Sequence, residues 1–128
     1  MQLFTGGIIM ERQDLNRKID LAFLSAFYGG MLTEKQRRIL SLYCEEDLSL
    51  GEIAEEVGIT RQAAHESLTR ASEKLSEMES VLGVAERFRK IDSGLENALE
   101  ALKQRDYPRT EALLKEMLTI ETEEPAGR

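Results

Sequence analysis

The sequence predicts an all-α protein, with a helix-turn-helix core and additional long N- and C-terminal helices. Apolar residues recur at intervals of three and four through most of the chain, and no segment alternates with the period of two that marks a strand. Proline is rare, with 2 residues, whereas the helix formers Leu, Ala, Glu, Lys and Arg are abundant. Between residues 49 and 70, two helix-starting signals lie on either side of Gly58, a pattern typical of two short helices joined by a tight turn.

Composition excludes several classes of protein. The 128 residues are 41% hydrophobic but only 5% aromatic, so the core is expected to be aliphatic. One cysteine, Cys44, excludes an internal disulfide, and together with one histidine, His65, it cannot supply a structural zinc site. No apolar run has the length of a membrane span, and the first ten residues lack the basic segment of a signal peptide. We therefore expect a cytoplasmic protein with no membrane contact and no cofactor.

The pattern divides the chain into four parts. Residues 1–10 are predicted to be a flexible N-terminal extension, and residues 122–128 a disordered tail. Residues 11–83 form the predicted helix-turn-helix domain, with the motif at residues 49–70, and residues 84–121 form a C-terminal helical arm.

The first helix is predicted to run from Glu11 to Tyr28, where Gly29 and Gly30 end it. Its inner face is expected to carry the apolar residues at steps of three and four: Leu15, Ile19, Ala22, Phe23 and Ala26. The second helix begins after Thr33, whose spacing from Gln36 is that of a capping box. The predicted buried face of this second helix consists of Ile39, Leu40 and Tyr43.

The segment that starts at Ser49 carries the helix-turn-helix pattern. Ser49 and Glu52 form a second capping box, and Gly58 can adopt the left-handed conformation that ends a helix. Thr60 then caps the second motif helix, which begins at Arg61. The residues expected to be buried between the two helices are Ile53, Ala54, Val57, Ile59, Ala64 and Leu68.

Heptad-like apolar seams continue through the rest of the chain. They consist of Ala71, Leu75, Met78 and Leu82, then Val84, Phe88, Ile91, Leu95, Ala98 and Leu102, then Leu113, Leu114, Met117 and Ile120. These seams either pack within one chain or against a second copy. We predict a homodimer, because so much apolar surface needs a cover and because a two-fold dimer offers two reading helices to paired half-sites.

The second motif helix predicts contact with nucleic acid. In DNA-binding proteins with this motif, that helix lies in the major groove and its first turns contact base edges. The candidate DNA-binding residues on it are Arg61, Gln62, Ala63, His65, Glu66, Thr69 and Arg70. An arginine such as Arg61 pairs well with guanine, and an amide such as Gln62 with adenine. The candidate phosphate contacts are Lys35, Arg37, Arg38 and Lys74.

The overall charge opposes this interpretation. The chain has 24 acidic and 17 basic residues, a net charge of −7, whereas nucleic-acid binders are usually basic. Glu66 lies on the predicted reading face, and Glu55 and Glu56 lie on the preceding helix. His65 is read either as an exposed helix residue or as a groove contact, and Cys44 either as a small apolar residue or as a redox sensor. Neither a catalytic set nor a metal site is predicted.

Three runs of sequence carry a family resemblance. They are Leu32-Thr33-Glu34-Lys35-Gln36-Arg37, Ser49-Leu50-Gly51-Glu52-Ile53-Ala54-Glu55-Glu56 and Gly58-Ile59-Thr60-Arg61-Gln62-Ala63. The chain from Leu15 to Leu102 resembles the YlxM-type family of small bacterial helix-turn-helix proteins. This resemblance implies a fold related to region 4 of the RNA polymerase sigma factors, binding to double-stranded DNA, and a role in the signal recognition particle pathway or its regulation. It implies no enzyme activity. Ala64, His65 and Cys44 depart from the residues usual in that family.

Two hypotheses of function follow. The first is a DNA-binding regulatory protein that uses the sigma region 4-like motif. The alternative is an interaction module that docks the GTPase of the signal recognition particle without binding DNA. Its basis is the net charge, since an acidic surface repels nucleic acid and attracts a basic partner.

Overall fold

The computed structural model describes residues 2–120, with side chains from residue 13 onwards. Within this part of the chain there are six α-helices, one short 3₁₀-helix and no strand, which confirms the all-α prediction. The helices are α1 (Gln2–Tyr28), the 3₁₀ turn Gly29–Met31, α2 (Glu34–Cys44), α3 (Leu50–Val57), α4 (Arg61–Leu82), α5 (Val84–Lys103) and α6 (Tyr107–Ile120). None of the described helices is long and apolar enough to cross a membrane.

The described residues cover more of the N-terminal end of the chain than of the C-terminal end. The predicted tail at residues 122–128 lies outside the described residues. Helix α1 begins at Gln2, so the predicted helix start at Glu11 was too late. A glycine in a helix costs only about 1 kcal/mol relative to alanine, so Gly6 and Gly7 are compatible with the early part of α1. The flexibility proposed for residues 1–10 stays a prediction, because their side chains are also outside the described part.

The chain divides into two compact units, residues 1–77 and residues 78–128. The sequence-based boundary between residues 83 and 84 lies a few residues further along. Each unit has its own buried apolar residues, and the predicted helix-turn-helix segment belongs entirely to the first.

The first unit has an aliphatic core, as its composition predicts. The predicted inner face of α2, with Ile39, Leu40 and Tyr43, is buried. In the motif, Ile53, Ala54, Ala64 and Leu68 are buried, and Val57 and Ile59 are half-buried. Ala71 and Leu75 extend the buried row along α4.

The predicted inner face of α1 was wrong. Leu15 and Ile19 are more than half exposed, and Leu21 and Tyr28 are buried instead. The 3.6-residue period locates an apolar stripe on a helix, but the neighbouring helices decide which side is covered. The phase of the stripe therefore did not identify the packed side.

A charged network ties α1 to the segment that precedes α3. The Lys18 side chain, only 13% exposed, forms ion pairs with Asp14, at 3.3 Å, and with Asp47. The Tyr43 hydroxyl donates a hydrogen bond of 2.7 Å to Asp14, and the Lys18 Nζ lies 4.8 Å from the Tyr43 ring centroid. The hydrogen bond with Asp47 raises the pKa of Lys18, and the bond from Tyr43 lowers the pKa of Asp14. The backbone of Asp47 is in the left-handed region, at a φ of 56°.

Each motif helix starts at the predicted cap. Ser49 Oγ accepts the Glu52 N–H at 3.2 Å, and Glu52 Oε1 accepts the Ser49 N–H at 2.9 Å. The hydrogen bond that the Glu52 carboxylate accepts from the Ser49 backbone N–H lowers the pKa of Glu52, and the Ser49 side chain adds to this effect. Gly58 ends α3 at φ 78° and ψ 38°, and the backbone N–H groups of Gly58 and Ile59 both donate to the Ala54 carbonyl.

In the second unit, α5 packs against α6. The buried contact is made by Ala98, Met117 and Ile120, with Ile91 and Leu113 half-buried beside them. Gly94 lies so close to Met117 that an added Cβ would come within 2.7 Å of its side chain. The glycine that weakens α5 thus lets the two helices approach closely.

Only part of the predicted apolar seam of this region is buried within one chain. Val84, Phe88, Leu95 and Leu102 are exposed on α5, as is Leu114 on α6, whereas Ala98, Met117 and Ile120 are buried as predicted. Small residues, Ala85 and Ala101, are also buried on α5. A close helix pair favours small side chains at the contact, and the larger ones are left outside it.

The left-handed residue in the corner generates a stability prediction. Gly58→Ala is expected to destabilise the protein by about 1 kcal/mol, because a Cβ disfavours this backbone conformation even though no atom blocks the added methyl. Thermal unfolding followed by circular dichroism measures the loss. The matched control is Gly30→Ala, which also has open space around it and no positive φ. Equal stability of the two variants would contradict the left-handed conformation of Gly58.

The cap of α4 generates a second prediction. Thr60 Oγ1 accepts a hydrogen bond of 3.0 Å from the Ala63 N–H. Thr60→Ala is expected to lower the free energy of unfolding by about 1 kcal/mol and to increase hydrogen exchange in the first turn of α4. Thr60→Ser, which keeps the acceptor, should retain most of that stability. If Ser and Ala destabilise equally, the hydroxyl does not act as a cap.

Candidate nucleic-acid interface

The first turns of α4 present most of the candidate base-contacting residues to solvent. Arg61, Gln62, His65, Glu66 and Arg70 are exposed, and the other two, Ala63 and Thr69, are half-buried. The opposite side of the helix is anchored in the core by Ala64, Leu68, Ala71 and Leu75. Because one face is packed against the first unit, the orientation of the outer face is set by the core.

Three of the candidates lie together beside the first motif helix. Arg61, Gln62 and His65 line one open depression with Leu50, the first residue of α3. The start of α4 and the start of α3 therefore form one continuous surface. This is the arrangement that a helix-turn-helix needs if both of its helices are to approach one groove.

The outward side of α4 also carries two acidic residues, Glu66 and Glu73. Gln62, Glu66, Thr69 and Glu73 follow one another at steps of three and four, so they share the outward side of the helix. The two carboxylates lie in the middle and at the end of that row. A phosphate backbone is repelled by them, which leaves Arg61, Arg70 and Lys74 as the cations of this helix.

The candidate phosphate contacts fall on two helices. Lys74 is exposed on α4, and Lys35, Arg37 and Arg38 are exposed on α2. Arg37 and Arg38 line a different depression, between α1 and α2, together with Glu34 and Glu45. Arg37 and Arg38 therefore do not line the depression formed by Arg61, Gln62 and His65.

Arg38 has an acidic neighbour that the sequence did not predict. Its Nη2 lies 4.0 Å from Glu56 Oε1, with both side chains more than half exposed. An exposed pair of this length contributes little stability, about 0–1 kcal/mol, so Arg38 can leave it at low cost. No sequence signal finds this contact, because the two residues lie on separate helices whose packing decides it.

The remaining chemistry-bearing residues give no further site. Among residues 13–120, no group of three or more His, Cys, Asp and Glu side chains is placed to hold a metal ion. Cys44 is half-buried at the end of α2, and burial raises the pKa of its thiol. A neutral, partly covered thiol has the character of a small apolar residue, the first of the two readings.

Comparison with known proteins identifies the family. Residues 15–117 match the model of a family described as "Putative helix-turn-helix protein, YlxM / p13 like". A UPF0122 protein of Halalkalibacterium halodurans is 39% identical over 108 residues, which cover 84% of this chain and 99% of that protein. A UPF0122 protein of Desulforamulus reducens is 44% identical over 85 residues, covering 66% of this chain and 71% of the other.

A third relative extends over most of both chains. The UPF0122 protein of Anoxybacillus flavithermus is 36% identical over 107 residues, which cover 84% of this chain and 96% of its own. No solved structure matches this chain significantly, so the likeness to sigma region 4 stays a prediction. The capped corner at Gly58, the matched span and these relatives agree, and the chain belongs to the UPF0122 family of YlxM-like helix-turn-helix proteins.

Proposed function

We propose that this protein binds double-stranded DNA by placing the start of α4 in the major groove. The observation that carries the proposal is the pairing of a buried inner face on α4 with an exposed cluster of Arg61, Gln62 and His65 beside α3. A rigidly held helix with polar side chains at its N-terminal turns is what base-edge recognition requires. Membership of a helix-turn-helix family supports the same function.

The residues of α4 divide into two roles in this proposal. Arg61 and Gln62 read base edges, with Arg61 suited to a guanine and Gln62 to an adenine. Arg70, half a turn around the helix and further along it, contacts phosphate, with Lys74 one turn beyond. Lys35, Arg37 and Arg38 on α2 contact the flanking backbone, and Arg38 exchanges Glu56 for a phosphate when DNA binds.

The net charge of the protein opposes the approach of DNA at long range. A net charge of −7 repels a polyanion, and only a few cations face it on the reading side. Affinity therefore depends on low salt and on close contacts, and each phosphate contact adds to the salt dependence. Such a protein distinguishes one DNA sequence from another through short-range contacts, because non-specific attraction to the phosphates adds little to its affinity.

The wider role follows from the family resemblance. We propose a regulatory protein of the cytoplasm that acts as a homodimer, with two α4 helices reading paired half-sites. The signal recognition particle pathway is the proposed process in which it acts. The proposed partners are accordingly double-stranded DNA and components of that particle.

Substitutions on α4 test DNA binding. Arg61→Ala and Arg70→Ala are each expected to weaken binding to the best duplex of a genomic fragment pool about 10-fold, by fluorescence anisotropy at low salt. Arg70→Ala should also reduce the slope of log affinity against log salt concentration by about 1. The matched control is Arg109→Ala, an exposed arginine of α6.

A charge-neutralising substitution tests the same interface in the opposite direction. Glu66→Gln is expected to tighten duplex binding several-fold, because it removes a carboxylate from the outward row of α4. Unchanged affinity for Arg61→Ala, Arg70→Ala and Glu66→Gln alike would place the DNA elsewhere. The absence of any binding by the unmodified protein at low salt would reject the function.

The acidic surface favours a second candidate function, docking of a basic protein. Glu52, Glu55 and Glu56 are all exposed on the short helix α3. Such a surface attracts a cationic partner, for which the proposed identity is the GTPase of the signal recognition particle. Titration calorimetry with that GTPase is expected to show salt-sensitive binding that Glu55→Gln with Glu56→Gln weakens, while Glu111→Gln does not. No heat of binding at micromolar concentrations would reject this candidate.

A further inference from the structure

Eight large apolar side chains are exposed on α5 and α6, and six of them lie in the half of the hairpin nearer the turn. On α5 these are Leu95, Leu99 and Leu102, at 51%, 53% and 49% exposure, and beyond the turn they are Tyr107, Leu114 and Leu118, at 62%, 44% and 74%. None of these six side chains belongs to the buried contact between the two helices. We call these six residues the hairpin face.

The hairpin face is continuous because of the way the two helices are phased. On α5 the exposed Leu99 directly follows the buried Ala98, and on α6 the exposed Leu118 directly follows the buried Met117. Each step along a helix turns by about 100° in the same sense, so both stripes are rotated equally away from the contact. Helices joined by a turn of three residues run antiparallel, which brings the two equal rotations to the same side of the hairpin.

The size of this face matches what a stable dimer needs. Six such side chains at about half exposure present on the order of 500 Å² of apolar surface, within the range of the largest patch on a typical monomer. Each partner contributes roughly 800 Å² to a standard interface, so the apolar side chains supply more than half of that area and the surrounding polar residues supply the rest. An apolar centre with a polar rim is the composition of a protein–protein interface.

The charges around the face indicate which partner it fits. Within the described residues, the charged side chains three or four positions from its members are Asp92, Glu96, Asp106, Glu111, Lys103, Arg105 and Lys115. Four carboxylates and three basic side chains leave this rim at −1, whereas the whole chain carries −7. A strongly basic or acidic partner finds little complementary charge here. Two copies of the same rim, in contrast, meet with almost no net repulsion and with opposite charges available for cross pairs.

We propose that the hairpin face binds the hairpin face of a second copy of this chain, related to the first by a two-fold axis. Such an interface is self-complementary, and the four helices form an antiparallel bundle around the six apolar residues of each copy. The proposal deepens the proposed function, on which it rests for the purpose of the dimer, by assigning the surface that pairs two α4 helices. It leaves the α4 reading residues outside the interface.

Sedimentation equilibrium on the full chain tests this interface. The unmodified protein is expected to have twice the chain mass of 14.5 kDa at about 50 μM. The double variant Leu99→Glu with Leu118→Glu should raise the dimer dissociation constant about 100-fold or more, because four carboxylates then meet in an apolar contact. Leu118→Ser alone, at the most exposed position of the face, should give a smaller increase.

The matched control uses an exposed apolar stripe on a different helix, α1. Leu15→Glu with Ile19→Glu changes two α1 residues of similar exposure, 57% and 55%, and should leave the dimer intact. Far-UV circular dichroism verifies that each variant is folded. A monomeric unmodified protein overturns the proposal. So does an α1 variant that dissociates while the Leu118→Ser variant behaves like the unmodified chain.

Duplex binding separates this inference from the function it deepens. The dissociated variant is expected to keep salt-sensitive, Arg61-dependent binding to a short duplex, with lower affinity for a duplex that contains two half-sites. A dimer that binds no DNA would reject the function and leave the hairpin interface standing. DNA binding by a chain that stays monomeric would reject only the interface.

Discussion

The fold of the first unit depends on the corner between α3 and α4. Gly58 allows the chain to turn at a positive φ, and the buried row from Ala64 to Leu75 then fixes the side of α4 that faces the core. The α4 part of the candidate interface follows from that rotation: with the inner row packed, Gln62 and Glu66 face solvent, and Arg61 lies beside Leu50. A helix rotated by a quarter turn would present different side chains to any ligand.

The electrostatics of the protein restrict how this corner can be used. A chain of net charge −7 cannot rely on general attraction to a polyanion, so any recognition of DNA depends on a few directed contacts at the start of α4. The Arg38–Glu56 pair shows the same opposition of charges in one contact, because the carboxylate of Glu56 lies beside an arginine that is a candidate phosphate contact. The acidic α3 and the mixed charges of the hairpin rim then suit protein partners of different charge.

The local features of the fold were predictable because each is determined within a few residues. The capping boxes at Thr33 and Ser49, the left-handed Gly58 and the Thr60 cap are set by backbone groups at fixed spacing. The exposed candidates on α4 were also predictable, because the apolar period of that helix is strong. The sequence did not predict the packed side of α1, nor which residues of the α5 seam lie in the contact with α6, because more than one stripe is apolar and the neighbouring helix selects between them.

The sequence by itself therefore determined the helices, their caps, the corner of the motif and the membership of a helix-turn-helix family, since these depend on short-range geometry and on residue identity. Only the tertiary structure decided which apolar residues lie outside, that Lys18 joins Asp14 to Asp47, and that Arg38 faces Glu56. Such contacts join residues far apart in the chain. Helix packing, in which small residues such as Ala98 and Gly94 permit close approach and larger ones are left at the surface, cannot be read from one helical period.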